Sequence, residues 1–166
     1  MSALKEVDEK KEIGHWEGDA VTGQESHFVT LAERVSKLFL TVKVKNKTKK
    51  TVSLAIRKLL KPYKHRCKSI TFDNGSQFAD HQEIAKALNC KIYFAKPYQS
   101  WQRGLNENTN GLLRRYYPKG MKIGALTNQE VDNVQLAINI RPRKALKYQS
   151  PCEFLTSKRV SFMLGI

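Results

Sequence analysis

Asp19, Asp73 and Glu107 are the side chains whose type and placement could do chemistry. In HWEGDAV (15–21), strand alternation puts Glu17, Asp19 and Val21 on one face and Trp16, Gly18 and Ala20 on the other, so an acid falls midway along a strand expected to be central. In KSITFDNG (68–75), Asp73 closes a short buried strand just before an Asn-Gly turn, at the carboxyl end where ligands of open α/β sheets gather. Glu107 belongs to a helical stretch, 100–117, on a polar stripe with Arg103, Asn110 and Arg114; Leu105, Thr109, Leu112 and Tyr116 form a more apolar stripe. Carboxylates drawn together repel one another and raise each other's pKa, so a cluster of them calls for a cation. Mg²⁺ fits, because it takes hard oxygen ligands and keeps positions open for water and phosphate oxygens. Two such ions about 3.5–4 Å apart would serve an in-line phosphoryl displacement. Taken singly, Asp73 is an ordinary turn residue and Glu107 a solvated helix acid paired with Arg103. Glu17 shares the face of Asp19, and periodicity alone leaves open which of the two is the ligand.

The elements that must position these acids follow from hydrophobic patterning. HWEGDAV, HFVTLAERV (27–35) and KLFLTVKV (37–44) read as three consecutive antiparallel strands, with breaks at Thr22-Gly23 and Ser36-Lys37. Residues 46–63 read as an amphipathic helix: Val52, Ala55, Ile56, Leu59 and Leu60 recur at helical spacing, Thr48 or Asn46 can cap the start, and Pro62 marks the end. A strand at 68–72, a turn, a helix at 81–89 and a strand at 91–95 complete the order βββαβαβ. Helices at 100–117 and after Thr127 follow, the second ending before Pro142. The expected architecture is α/β, a ribonuclease H-like fold with a mixed five-stranded sheet. Residues 1–12 read as a charged, flexible lead-in, 13–156 as the core and 157–166 as a tail.

Composition narrows the partner. The chain has 166 residues, with 30 Lys and Arg against 15 Asp and Glu, a formal charge of +15. Such a surface attracts polyanions, nucleic acid first, although charge alone also fits a ribosomal protein or a binder of anionic membranes. The cysteines, Cys67, Cys90 and Cys152, are odd in number and form no C-x-x-C pair, so they suit neither a disulfide framework nor a zinc site. No apolar run approaches the roughly 20 residues of a membrane span and no signal peptide opens the chain, so the expectation is a soluble, cytoplasmic protein.

HWEGD (15–19), TFDNGSQFADH (71–81), KPYQSWQRGLNENTNGLLRRYYPKG (96–120) and NIRPRKAL (139–146) together resemble, in order, the signature blocks of the DDE transposases of bacterial insertion sequences. The resemblance is to insertion-sequence family thirty, in the retroviral-integrase-like group. The 33 residues between Asp73 and Glu107 match that family's spacing. The resemblance implies that Asp19, Asp73 and Glu107 are the three acids, in that order, with Glu17 only a neighbour. It also implies Mg²⁺ or Mn²⁺, two ions with substrate bound. The implied partners are DNA (transposon ends and target) and further copies of the chain in a homo-oligomer, in a bacterial, nucleoid-associated setting. Leu105 stands where relatives more often carry a small polar residue. Relatives place helix-turn-helix segments ahead of this domain, and fewer than twenty residues precede Asp19, so the sequence reads as a fragment or a shortened product.

Around the acids, Asn74, Asn106, Asn108 and Asn110 could orient carboxylates or touch phosphate. Gly104 and Gly111 would permit close approach of DNA or, equally, of the sheet. For DNA contact the candidates are Lys96, Tyr98, Arg103, Asn110, Arg114, Arg115 and Lys119, with Trp101 as a further stacking ring, and a second group of Arg141, Arg143, Lys144 and Lys147. His15 and His81 lie beside acids, but a lone histidine is more often structural. Strand cleavage with transfer is the expected activity. The alternatives are a ribonuclease H-like nuclease without transfer and a non-catalytic nucleic-acid-binding domain.

Overall fold

The structure, a computed structural model, describes residues 12–96 and 104–164, with side chains described to residue 157. Five strands form one mixed sheet in the order β3-β2-β1-β4-β5, where β1 is His15–Thr22, β2 His27–Glu33, β3 Phe39–Val44, β4 Ser69–Phe72 and β5 Lys91–Phe94. β1–β2 and β2–β3 pair antiparallel, while β1–β4 and β4–β5 pair parallel. The helices are α1 (Lys49–Leu60), α2 (His81–Leu88), α3 (Gly104–Tyr116), α4 (Asn128–Asn139) and α5 (Pro151–Leu164). The expected βββαβαβ order is present. The helix expected over 100–117 is described from Gly104 to Tyr116, its first residues lying outside the described ones. α5 runs continuously across 156–157, where the core was expected to give way to a tail.

Local signals set most boundaries. Thr48 caps α1, its hydroxyl accepting the Thr51 N–H at 3.3 Å, while Asn46 instead braces Thr48. α2 ends at Asn89, whose φ of 49° is the left-handed conformation that asparagine tolerates. α4 opens with a capping box: the Glu130 N–H donates to the Thr127 hydroxyl at 3.2 Å and the Thr127 N–H to the Glu130 carboxylate at 2.7 Å.

The sheet is covered on both faces. Trp16, Val29, Leu31, Ile70 and Phe72 pack with Val52, Ile56 and Leu60 of α1 and Ile84 and Leu88 of α2. On the opposite face Val21, Phe28 and Phe39 pack with Leu112 and Leu113 of α3, Tyr117, Ile123, and Val131 and Ile138 of α4. Alternation therefore sends Glu17, Asp19 and Val21 toward α3. Gly18 is required on the other side, because a Cβ there would lie 2.3 Å from the Phe72 ring. The edge strand β3 is shielded by amides of α4: Asn139 accepts the Phe39 N–H at 2.8 Å and donates to its carbonyl at 2.7 Å, and Gln135 accepts the Thr41 N–H at 2.8 Å. The three cysteines are free; Cys67 and Cys90, remote in sequence, share a thiol–thiol hydrogen bond that pushes the Cys67 pKa up and holds that of Cys90 down.

Candidate active site

Asp19, inside β1, and Asp73, just past the end of β4, lie in matching register on two neighbouring parallel strands. The last paired residues of β1 and β4 are Glu17 and Thr71, and each acid lies two residues beyond its member of that pair. Both are half-buried. Asp73 folds back on its own turn, its Oδ1 accepting the Gly75 N–H at 3.0 Å, as an Asp before Asn-Gly should.

α3 runs along β1 as a rack. The Asn106 N–H donates to Glu17 Oε2 at 3.0 Å, Asn110 Nδ2 donates to Asp19 Oδ2 at 2.9 Å, and Arg114 donates to the Thr22 carbonyl at 2.7 Å. The first two contacts repeat because four helical residues advance about 6 Å and two strand residues about 6.6 Å; one further helical turn brings Arg114 to Thr22, three residues past Asp19. Asn110 is itself oriented by Thr30, which sits opposite Asp19 on β2 and donates to the amide oxygen at 3.1 Å. That choice fixes which end of the amide faces the carboxylate. The other oxygen of Asp19 accepts the Ala20 N–H at 2.8 Å.

The helix faces differ from the sequence-based division. Asn106, Thr109, Leu112 and Leu113 are buried, whereas Tyr116 is 44% exposed and Leu105 only half-buried. The ladder to β1, together with the apolar contacts of Leu113, turns the helix about its axis relative to that expectation. Glu107 is exposed, one turn before Asn110. Among the described residues, no three His, Cys, Asp or Glu side chains stand close enough to hold a metal ion. The fold thus puts Asp19 and Asp73 in matching register on adjacent strands and leaves Glu107 exposed on α3. In donor type, half-buried carboxylates on adjacent strands suit a hard cation.

Glu17 has a different task. It is 3% exposed and forms an ion pair with Arg34, itself 2% exposed, at 3.1 Å. Sequence reasoning missed Arg34 and Thr30, and it named Asn106 for its amide side chain, whereas the contact to Glu17 is made by the Asn106 backbone N–H; the available signal for Arg34 was that a buried acid on a two-sided strand needs a buried cation. His15 is held by Ser69 at 2.7 Å, and burial lowers its pKa. His81 packs edge-on against Phe94. Both have structural roles.

Of the residues expected at DNA, Lys96, Arg115, Lys119, Arg141 and Lys144 are exposed, Asn110 and Arg114 are engaged with β1, and Arg143 donates to the Ile138 carbonyl at 3.1 Å. Tyr98, Trp101 and Arg103 lie outside the described residues. A Cβ added at Gly104 or Gly111 would meet nothing within 4 Å among the described residues, which removes packing against the sheet as the reason for these glycines.

A family model described as the integrase core domain matches residues 9–100, more than half of the chain. The chain belongs to the integrase core domain family. It is 40% identical over 153 residues to the transposase InsI of insertion sequence element IS30A from Escherichia coli K12, an alignment covering 91% of this chain and 40% of that protein. It is 39% identical over 149 residues to the transposase of IS4351 from Bacteroides fragilis, covering 89% and 46%. The chain thus spans less than half the length of these relatives. Among solved structures, the catalytic core domain of BIV integrase superposes with a TM-score of 0.67 at 19% identity, covering 89% of this chain and 97% of that one. A chain of the simian T-cell lymphotropic virus intasome in complex with the PP2A regulatory subunit B56 gamma gives 0.69 at 18%, covering 86% and 54%. These likenesses establish the integrase-core, ribonuclease H-like fold. As for membranes, no helix among the described residues is long and apolar enough to cross one.

Proposed function

We propose that this chain is the catalytic core of a DDE transposase, in which Asp19, Asp73 and Glu107 would hold Mg²⁺ or Mn²⁺, two ions when DNA is bound. The observation that carries this reading is the register of Asp19 and Asp73, each two residues past Glu17–Thr71, the last pair between β1 and β4. When bound, the ions would supply activation of the attacking oxygen and neutralisation of charge at the leaving one. The protein's own part is orientation. Asn110, steered by Thr30, fixes the Asp19 carboxylate, and the backbone turn fixes Asp73. Glu107 completes the set from α3. Exposed Lys96, Arg115 and Lys119 neutralise phosphates near the cleavage point, and the +15 charge draws in the duplex.

The reaction is hydrolysis of a phosphodiester at a transposon end to expose a 3′-OH, which then attacks a phosphodiester of target DNA and expels that strand's 3′ oxygen. The partners are transposon-end and target DNA and further copies of the chain, in the bacterial cytoplasm at the nucleoid. A strand-transfer assay with Mn²⁺ and pre-cut ends tests this. Joined product is expected; nicking without joining would indicate a nuclease, and DNA binding without either would indicate a non-catalytic domain.

A further inference from the structure

We propose that a cationic notch between α3 and the segment after α4 binds a backbone phosphate of duplex DNA away from the reacting one, an inference that rests on the DNA-processing reading above. The notch is a cavity of about 410 Å³ walled by three segments remote in sequence. Lys37 comes from the β2–β3 turn, Gly104 and Asn108 from the first turns of α3, and Arg141, Arg143 and Lys144 from the loop after α4. Among the described residues no carboxylate lines it. Four cationic side chains around one space repel each other, a cost that an anion removes.

Several details fit a phosphodiester. Among the described residues Arg143 Nε is buried without a hydrogen-bond partner, although the same guanidinium reaches the Ile138 carbonyl. Burial, and then the charge of Arg141, lower the Arg143 pKa. Gly104, in the wall of the notch, carries no side chain that would fill it. Leu105, Leu112 and Pro142 add an apolar wall that suits the deoxyribose beside a phosphate. Asn108 points into the notch, and its neighbour Glu107 is about 100° away around α3, so the bound phosphate and the reacting one lie on different sides of the helix. DNA crossing α3 would then be gripped at two places. Sequence alone suggested the arginines after α4; Lys37 and Asn108 join them only through the fold.

The test is binding of a fluorescein-labelled duplex to the full chain at several salt concentrations. Lys37→Asn with Lys144→Gln is compared with Lys58→Gln and Lys86→Gln, a pair of equal charge loss on exposed positions of α1 and α2. Asn suits position 37, where φ is 61°. Because Lys37 Nζ also donates to the Arg34 carbonyl at 2.5 Å, Arg141→Gln with Lys144→Gln serves as a second variant that leaves that turn intact. Both notch variants should lower the slope of log K against log salt by about 0.9 for each phosphate no longer neutralised, and the control pair should not. An equal fall in the control, or an unchanged slope in both notch variants, would overturn the notch while leaving duplex binding by the wild type in place. Failure of the wild type to bind duplex even at low salt would overturn the DNA reading itself, and the notch with it.

Discussion

Glu17 and Arg34 form a buried ion pair, 3.1 Å between Oε1 and Nε, and the second oxygen of Glu17 accepts the Asn106 N–H at 3.0 Å. One carboxylate therefore joins β1, the end of β2 and the first turn of α3. It also places a negative charge at the N-terminal end of that helix, where the backbone dipole favours one. Glu17 lies two residues from Asp19, yet its partners give it a holding role.

Glu17→Gln is accordingly expected to destabilise the fold by about 3–5 kcal/mol, since it leaves Arg34 buried without its counter-charge. Glu17→Gln with Arg34→Met should recover much of that loss. The measurement is urea unfolding beside cleavage per folded molecule. A stable Glu17→Gln protein that has lost cleavage would reassign Glu17 to the metal site.

Asp19→Asn, Asp73→Asn and Glu107→Gln should each abolish strand cleavage while leaving unfolding midpoints and duplex affinity close to wild type, because each removes a ligand charge with little change in volume. Single-turnover cleavage and circular dichroism melts check this. Residual cleavage within tenfold of wild type in any of the three would remove that residue from the set.

Asn110→Ala should slow cleavage about 10–100-fold by releasing the Asp19 carboxylate, the usual cost of losing a group that orients a metal ligand. Thr30→Val should act in the same direction but more weakly, since it removes only the hydrogen bond that sets the Asn110 amide. Rates equal to wild type in Asn110→Ala would show that Asp19 is held without it.

Mg²⁺ or Mn²⁺ should bind the free protein weakly and raise its melting temperature modestly, because the three carboxylates leave several positions to water and to substrate phosphate. Glu107→Gln should shrink that response. Tight zinc binding with no response to Mg²⁺ or Mn²⁺ in calorimetry would contradict the proposed ligand set.

Duplex binding should be steeply salt-dependent and nearly blind to sequence, since phosphate contacts carry no base information. Transposon-end and random duplexes are expected to compete within about tenfold, a gap of roughly 1.4 kcal/mol. A preference of several hundredfold for the end sequence would mean that this domain reads bases.

Much of this protein is written in short-range features of its sequence. Alternation in HWEGDAV decided that Glu17 and Asp19 face one way, Thr48 and the Thr127–Glu130 pair started two helices, and Asp73 before Asn-Gly ended β4 in a turn. Each of these depends on neighbours within a few residues, whose geometry the backbone fixes. What Glu17, Asn110, Asn139 and Lys37 do was decided only by the tertiary structure. Asn110 meets Asp19 across 91 residues and Asn139 meets Phe39 across 100. A carboxylate or amide takes whichever donor or acceptor packing brings within about 3 Å, and that depends on the rotation of α3 and α4 against the sheet. That rotation is set by the summed burial of Leu112, Leu113, Val131 and Ile138, a property of the assembled core and of no single segment.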